Sequence, residues 1–132
     1  YLATASPAFV ERWCPNGVTP ESLAAAPGLT FNTKDRLQSD WLRQLAGRRI
    51  GYRSHMLPSS QAFVDAALLG LGWGMNPEPL VRDHIAEGRL LDLHADRPFD
   101  VRLCWQVSRL TAAALRPLTQ ALRAAAATVL IP

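Results

Sequence analysis

The segment FNTKDRLQ, residues 31–38, carries the polar side chains most suited to binding a ligand. Asn32, Thr33 and Asp35 come where the apolar run LTFN ends and an amphipathic stretch begins, which predicts the junction of a strand and a helix. In an open α/β sheet that junction is where ligands bind. Because a carboxylate pairs with an ammonium or guanidinium group, Asp35 is a candidate ligand for a cation.

The same residues also have a purely structural interpretation. Asn32, followed three positions later by Asp35, resembles a helix capping box, and an acidic residue in a first turn suits the helix dipole. Ser59 and Ser60, in the segment PSSQAF, have two interpretations as well. They either cap a helix or donate to an anion at its N-terminus. Spacing alone leaves both interpretations open for each segment.

The glycine-rich segment LGLGWGMNP, residues 69–77, has the density of a phosphate-binding loop but the wrong order of elements. A dinucleotide loop needs Gly-x-Gly-x-x-Gly after a strand and before a helix. Here a helical pattern precedes the glycines, a strand follows them, and no P-loop lysine is present. We therefore predict that Gly70 or Gly72 ends a helix and that the segment binds no nucleotide cofactor.

The other reactive side chains form no pattern for catalysis or metal binding. The three histidines are not spaced as metal ligands, and Cys14 and Cys104 lie far apart in the sequence. The Gly-x-Ser-x-Gly elbow of α/β hydrolases is absent. The sequence therefore predicts no catalytic residues, no metal and no cofactor, and hence a protein that is not an enzyme.

The elements that must position these residues alternate along the chain. Short apolar runs such as YLATA, LTFN and VRLCWQV predict strands, and amphipathic segments between them predict helices. This order indicates an α/β fold with a mainly parallel five-stranded sheet flanked by helices. In residues 101–107 the apolar side chains alternate as in a half-buried strand. The last helix is predicted over residues 113–130, with Pro117 in its first turn.

Composition limits the class of protein further. The 132 residues make one domain's worth of chain, with 48% hydrophobic and 19% charged residues, which is typical of a globular protein. The net charge is +3, but the basic residues are dispersed, which argues against a nucleic-acid surface. No apolar stretch is long enough to span a membrane. Because the chain opens on YLATASPAF without an initiator Met, we expect a piece of a longer protein.

Four motifs together resemble the effector-binding region of LysR-type transcriptional regulators. They are ASPAFVERW, FNTKDRLQ, SSQAFVDAALLGLGWGMNPEPLV and GRLLDL, and they cover essentially the whole chain in order. ASPAF and SSQAF…NPEPLV are similar to a narrower subgroup, which senses lysine and arginine and controls the export of basic amino acids.

The resemblance implies a fold like that of type-II periplasmic binding proteins, in which two α/β subdomains are joined by crossovers. Residues 1–108 would be the second regulatory subdomain, and residues 109–132 a C-terminal helix returning to the first. DNA would be bound only through an N-terminal winged helix-turn-helix outside this chain. The expected protein is cytoplasmic, does not bind a membrane, and forms a homodimer or a higher homo-oligomer.

The resemblance also implies an effector site between the two subdomains, with lysine or arginine as the effector. The loop after LTFN would contribute Asn32, Thr33 and Asp35, with Asp35 on the side-chain cation. Ser59 and Ser60 would be further contacts, and most groups for the α-carboxylate would lie on the other subdomain. The alternative is a stand-alone small-molecule-binding protein of the same fold.

Overall fold

A computed structural model describes residues 1–130 and divides the chain into two compact units, of which the first is Tyr1–Asp100. The strands described in this unit are β1 (Leu2–Ala5), β2 (Gly28–Thr30), β3 (Ser54–Met56), β4 (Gly74–Asn76) and β5 (Leu91–Asp92). Its helices are α1 (Pro7–Trp13), α2 (Pro20–Ala25), α3 (Leu37–Ala46), α4 (Ser60–Leu68) and α5 (Glu78–Ala86). Strands and helices thus alternate from β2 to β5, as expected for an α/β fold.

The strands have mixed orientations, so the expected mainly parallel five-stranded sheet is wrong. β1 pairs antiparallel with both β4 and β5, whereas β2 pairs parallel with β3. A parallel bridge between Gly28 and Trp73 places β4 beside β2, with the Leu29 N–H donating to the Trp73 carbonyl at 2.7 Å. Apolar periodicity finds strands but does not fix their partners or directions, and β1 is the strand that runs the opposite way.

Two buried tryptophans form the centre of the larger of two hydrophobic clusters. The rings of Trp41 and Trp73 are 5.7 Å apart, and both side chains are almost completely buried. The indole N–H of Trp73 donates to the Leu23 carbonyl at 3.0 Å, and that of Trp41 donates to the Arg97 carbonyl at 2.8 Å. Because each buried N–H has a partner, both rings contribute apolar surface without a desolvation penalty.

The glycine-rich segment turns helix α4 into strand β4, as predicted. Gly70 follows the end of α4 at φ +73°, in the left-handed conformation that favours glycine after a helix. Gly72 and Gly74 are needed for close packing, because an added Cβ would overlap Leu29 at the first position and Phe63 at the second. The glycines therefore have an architectural role.

The second unit begins at Val101 and contains helix α6 (Arg116–Val129). Pro117 lies in the first turn of α6, as predicted. The strand predicted over residues 101–107 is wrong, because the described structure has no strand there. Its alternating residues stay between 36% and 67% exposed, and an extended segment becomes a strand only when a neighbour completes its hydrogen bonds. Among residues 1–130, no helix is long and apolar enough to cross a membrane.

Candidate ligand-binding site

The sheet brings several chain segments to one edge. Because β2 and β4 lie side by side and parallel, their carboxyl ends at Thr30 and Asn76 face the same way. β1 is antiparallel to β4, with Leu2 opposite Asn76, so the start of β1 reaches that edge too. β3 is parallel to β2, and the chain continues from it into α4, which begins at Ser60. Such an edge is where open α/β sheets bind ligands.

A cavity of about 400 Å³ lies at this edge. Its volume falls within the range of roughly 300–1,000 Å³ that is typical of small-molecule sites. Aromatic and aliphatic side chains line it together with a few polar ones, which is also typical. The lining residues are Tyr1, Phe31, Asn32, Lys34, Asp35, Leu37, Ser60, Phe63, Met75, Asn76 and Pro77.

Three of the five residues selected from the sequence line this cavity. Asn32 and Asp35 reach it from the loop after β2, and Ser60 reaches it from the start of α4. Thr33 belongs to the same loop but is not among the lining residues. Ser59 is also outside the lining and caps α4, because its Oγ accepts from the backbone N–H three residues further on at 3.3 Å.

The loop after β2 is held in shape by its own side chains. Asn32 Oδ1 accepts from the N–H groups of Lys34 and Asp35, at 2.8 and 3.1 Å. The two carboxylate oxygens of Asp35 accept from the N–H groups of Phe31 and Leu37, at 2.9 and 3.0 Å. Because α3 begins only at Leu37, Asp35 precedes the helix, and the capping box considered for this pair is not formed. The bonds instead fix the carboxylate in place, and each oxygen keeps a lone pair for a ligand.

The cavity presents one negative and one positive side chain. Asp35 and Lys34 both line it, and neither forms an ion pair within the described residues. Nearby, burial raises the pKa of the Tyr52 hydroxyl, and the charge of Asp35 raises it further. Tyr52 therefore stays neutral at physiological pH, and Asp35 is the carboxylate that a cationic ligand meets in this cavity.

The end of β4 is the part of the site that the sequence analysis missed. Asn76 lines the cavity and is completely buried. Its Nδ2 donates to Thr4 Oγ1 at 2.9 Å, while its Oδ1 has no hydrogen-bond partner within residues 1–130. The available signal was the one used for Asn32, namely a polar residue at the end of an apolar strand. Its segment was assigned a structural role because of its glycines.

The described residues hold no group of three or more His, Cys, Asp and Glu that could bind a metal ion. Cys14 is a buried free thiol and Cys104 an exposed one. The side chains that line the cavity offer a ligand charge, hydrogen bonds and apolar contact.

An α/β domain with a mixed polar and apolar cavity at the carboxyl ends of its strands is a small-molecule-binding domain. Comparison with known families assigns it more narrowly. The family model for the LysR substrate binding domain matches residues 2–127, and the chain belongs to this family. Its fold is accordingly of the periplasmic-binding-protein type, as the resemblance implied.

Curated relatives in this family are named as transcriptional regulators. The chain is 41% identical over 132 residues to the HTH-type transcriptional regulator ArgP of Pseudomonas fluorescens strain Pf0-1, covering 100% of this chain and 44% of that protein. It is 39% identical over 129 residues to the HTH-type transcriptional regulator LysG of Mycobacterium bovis, covering 96% of this chain and 41% of that protein. The chain thus spans less than half the length of these relatives.

Solved structures show the same fold. The C-terminal domains of a LysR family protein from Agrobacterium tumefaciens C58 match with a TM-score of 0.96 and 51% identity, over 99% of this chain and 63% of that one. Full-length LysG from Corynebacterium glutamicum with bound effector Arg matches with a TM-score of 0.78 and 30% identity, over 99% of this chain and 44% of that one. The resemblance to the effector-binding region of LysR-type regulators is confirmed, and its relatives include proteins named ArgP and LysG.

Proposed function

We propose that this chain is the effector-sensing domain of a LysR-type transcriptional regulator and that its effector is lysine or arginine. The observation that carries the proposal is the cavity at the ends of β2 and β4, where the fixed carboxylate of Asp35 faces space of small-molecule size. Relatives named ArgP and LysG, and a LysG structure containing bound Arg, support the choice of a basic amino acid.

The side chains of the cavity divide the work of recognition in this proposal. Asp35 pairs with the side-chain cation of the effector through a charge-assisted hydrogen bond. Asn32 and Ser60 bond to the polar backbone groups of the effector, and Lys34 attracts its carboxylate. Thr33 and Ser59, the other two residues proposed from the sequence, remain proposed effector contacts outside the cavity lining, and Ser59 also caps α4.

Sensing requires the effector to distinguish two conformations of the regulator. We infer that residues 1–108 form the second regulatory subdomain, and that residues 109–132 return to a first subdomain, which completes the cavity. An effector that binds the closed arrangement more tightly shifts the hinge equilibrium in proportion to that difference in affinity. The regulator is cytoplasmic, is not an enzyme, acts as a homodimer or higher homo-oligomer, and binds DNA through an N-terminal winged helix-turn-helix.

Titration calorimetry on the full-length protein tests the proposal. Lysine or arginine should bind, and citrulline, which has the shape of arginine without its charge, should bind more weakly. Replacing the carboxylate by the isosteric amide, Asp35→Asn, should weaken binding by at least ~1.5 kcal/mol, the value of a hydrogen bond to a charged group. The matched control is Asp83→Asn, because Asp83 is an exposed carboxylate on α5 outside the cavity lining.

Two results would contradict this assignment. Equal affinity of wild type and a folded Asp35→Asn variant would show that the cation binds elsewhere. Failure of the wild-type protein to bind either basic amino acid would overturn the choice of effector, and a stand-alone binding protein of the same fold would then have to be considered.

A further inference from the structure

Two buried side-chain amides of the first unit have polar atoms without a hydrogen-bond partner among residues 1–130. They are Gln38 on α3, with both its oxygen and its nitrogen, and Asn76 at the end of β4, with its oxygen. Such atoms are rare in folded proteins, because burial removes water without replacing its hydrogen bonds. Of the two residues, only Asn76 lines the cavity.

The amide of Asn76 is oriented before any ligand binds. Its backbone is fixed by antiparallel pairing of β4 with β1, in which Asn76 lies opposite Leu2. Its Nδ2 donates to the hydroxyl of Thr4, which is also completely buried, at 2.9 Å. Since the nitrogen is engaged, the oxygen is the atom left to accept a hydrogen bond. Because the oxygen is covered as well as unpaired, a ligand donor that reaches it supplies the hydrogen bond that burial has removed.

We propose that Asn76 is an effector-binding residue whose Oδ1 accepts a hydrogen bond from a cationic nitrogen of the ligand. This inference rests on the proposed function and adds the end of β4 to the contacts proposed from the loop after β2 and the start of α4. An amide oxygen cannot donate, so it selects an ammonium or guanidinium group over a carboxylate. A basic amino acid has two such cationic groups, one on its backbone and one on its side chain, and they share this chemistry.

Calorimetry with lysine on the full-length protein tests the role of Asn76. Asn76→Ala should weaken binding by about tenfold or more, because an uncompensated hydrogen bond to a charged group is lost. Asn76→Asp keeps an acceptor that Thr4 can pair with, and it should bind lysine at least as tightly as the wild type does. Gln38→Met is the matched control, since it removes the other unsatisfied buried amide outside the cavity and should leave the affinity for lysine unchanged.

Two lysine analogues identify the nitrogen that is contacted. Norleucine lacks the side-chain ammonium, and 6-aminohexanoate lacks the α-ammonium. Asn76→Ala should not lower the affinity for the analogue that lacks the contacted nitrogen, because the contact is already absent there. This comparison is a double-mutant cycle between protein and ligand.

The outcomes separate this inference from the proposed function. If the wild type binds lysine and a folded Asn76→Ala variant binds it equally well, the role of Asn76 is overturned and the effector assignment stands. If the alanine variant does not fold, weaker binding by Asn76→Asp overturns the inference, because an acceptor facing a cation gains from the added charge. If the wild type binds neither lysine nor arginine, both proposals fail.

Discussion

The carboxyl ends of β2 and β4 lie side by side, yet they present polar groups in opposite ways. After β2, residues 31–35 form a mostly exposed loop in which Asn32 and Asp35 bond to backbone groups within three or four residues. At the end of β4, Asn76 is completely buried and pairs with a side chain 72 residues away. The first end is stabilised locally and offers a charge at the surface, whereas the second depends on the whole fold and offers one buried acceptor.

This difference separates two contributions to ligand recognition. A partly exposed carboxylate such as Asp35 attracts cations but is screened by water and salt, so alone it discriminates weakly. A buried acceptor without a partner contributes little at long range but favours a ligand that supplies the missing hydrogen bond. A cavity that combines the two can be both accessible and selective for a cationic ligand.

The largest expected loss of stability comes from replacing Trp73, next to β4, the strand that positions Asn76. Trp73 directly precedes β4 and is completely buried. It packs against Trp41 and donates its indole N–H to a backbone carbonyl of α2. Trp73→Ala should therefore lower the free energy of unfolding by about 3–5 kcal/mol. Urea denaturation measures this loss. Thr33→Ala, in the exposed loop after β2, is the control and should change the free energy by no more than about 0.5 kcal/mol. Similar losses in the two variants would remove the contrast between the two ends.

A smaller effect is expected where β4 packs against α4. An added Cβ at Gly74 would overlap the ring of Phe63, so Gly74→Ala must displace a buried side chain. Overpacking of this kind costs about 1–3 kcal/mol. Gly51→Ala is the control, because nothing lies within 4 Å of the added methyl group there and the backbone is not left-handed. Equal stability of Gly74→Ala and the wild type in denaturant titrations would mean that β4 has room to move.

The contrast between the two ends also explains which parts of the fold could be predicted. The left-handed turn at Gly70 and the place of Pro117 in the first turn of α6 depend on near neighbours, and both were predicted correctly. The antiparallel direction of β1 depends on pairing with β4, which lies far along the chain. Residues 101–107 have the alternation of a strand but no strand partner in the described structure. Local patterns do not contain either of these facts.

The candidate site divides in the same way. Asn32, Asp35 and Ser60, which line the cavity, were selected from the sequence because each lies at a junction of elements that local patterns reveal. Asn76 was missed because its significance comes from burial and from its bond to Thr4, which only the folded chain brings close. The sequence analysis therefore selected the loop after β2 and did not select the buried Asn76 at the end of β4.

The smallest expected effect tests whether the two ends share one electrostatic environment. Tyr52 packs against Trp73 of the β4 segment at 5.5 Å between ring centroids, and it is near enough to Asp35 to respond to its charge. Burial, together with that charge, raises the pKa of Tyr52 above its ordinary value of 10.0. Because the unfolded protein then loses this proton first, the contribution of Tyr52 to stability is complete below pH 10 and declines as the pH rises further.

Urea titrations on either side of that pH measure this decline in the free energy of unfolding. The wild type should show it, Asp35→Asn should show a smaller decline, and Tyr52→Phe should lack the part that is due to Tyr52. An unchanged decline in Tyr52→Phe would assign the alkaline loss to other groups. Equal declines in the wild type and Asp35→Asn would separate the two strand ends electrostatically.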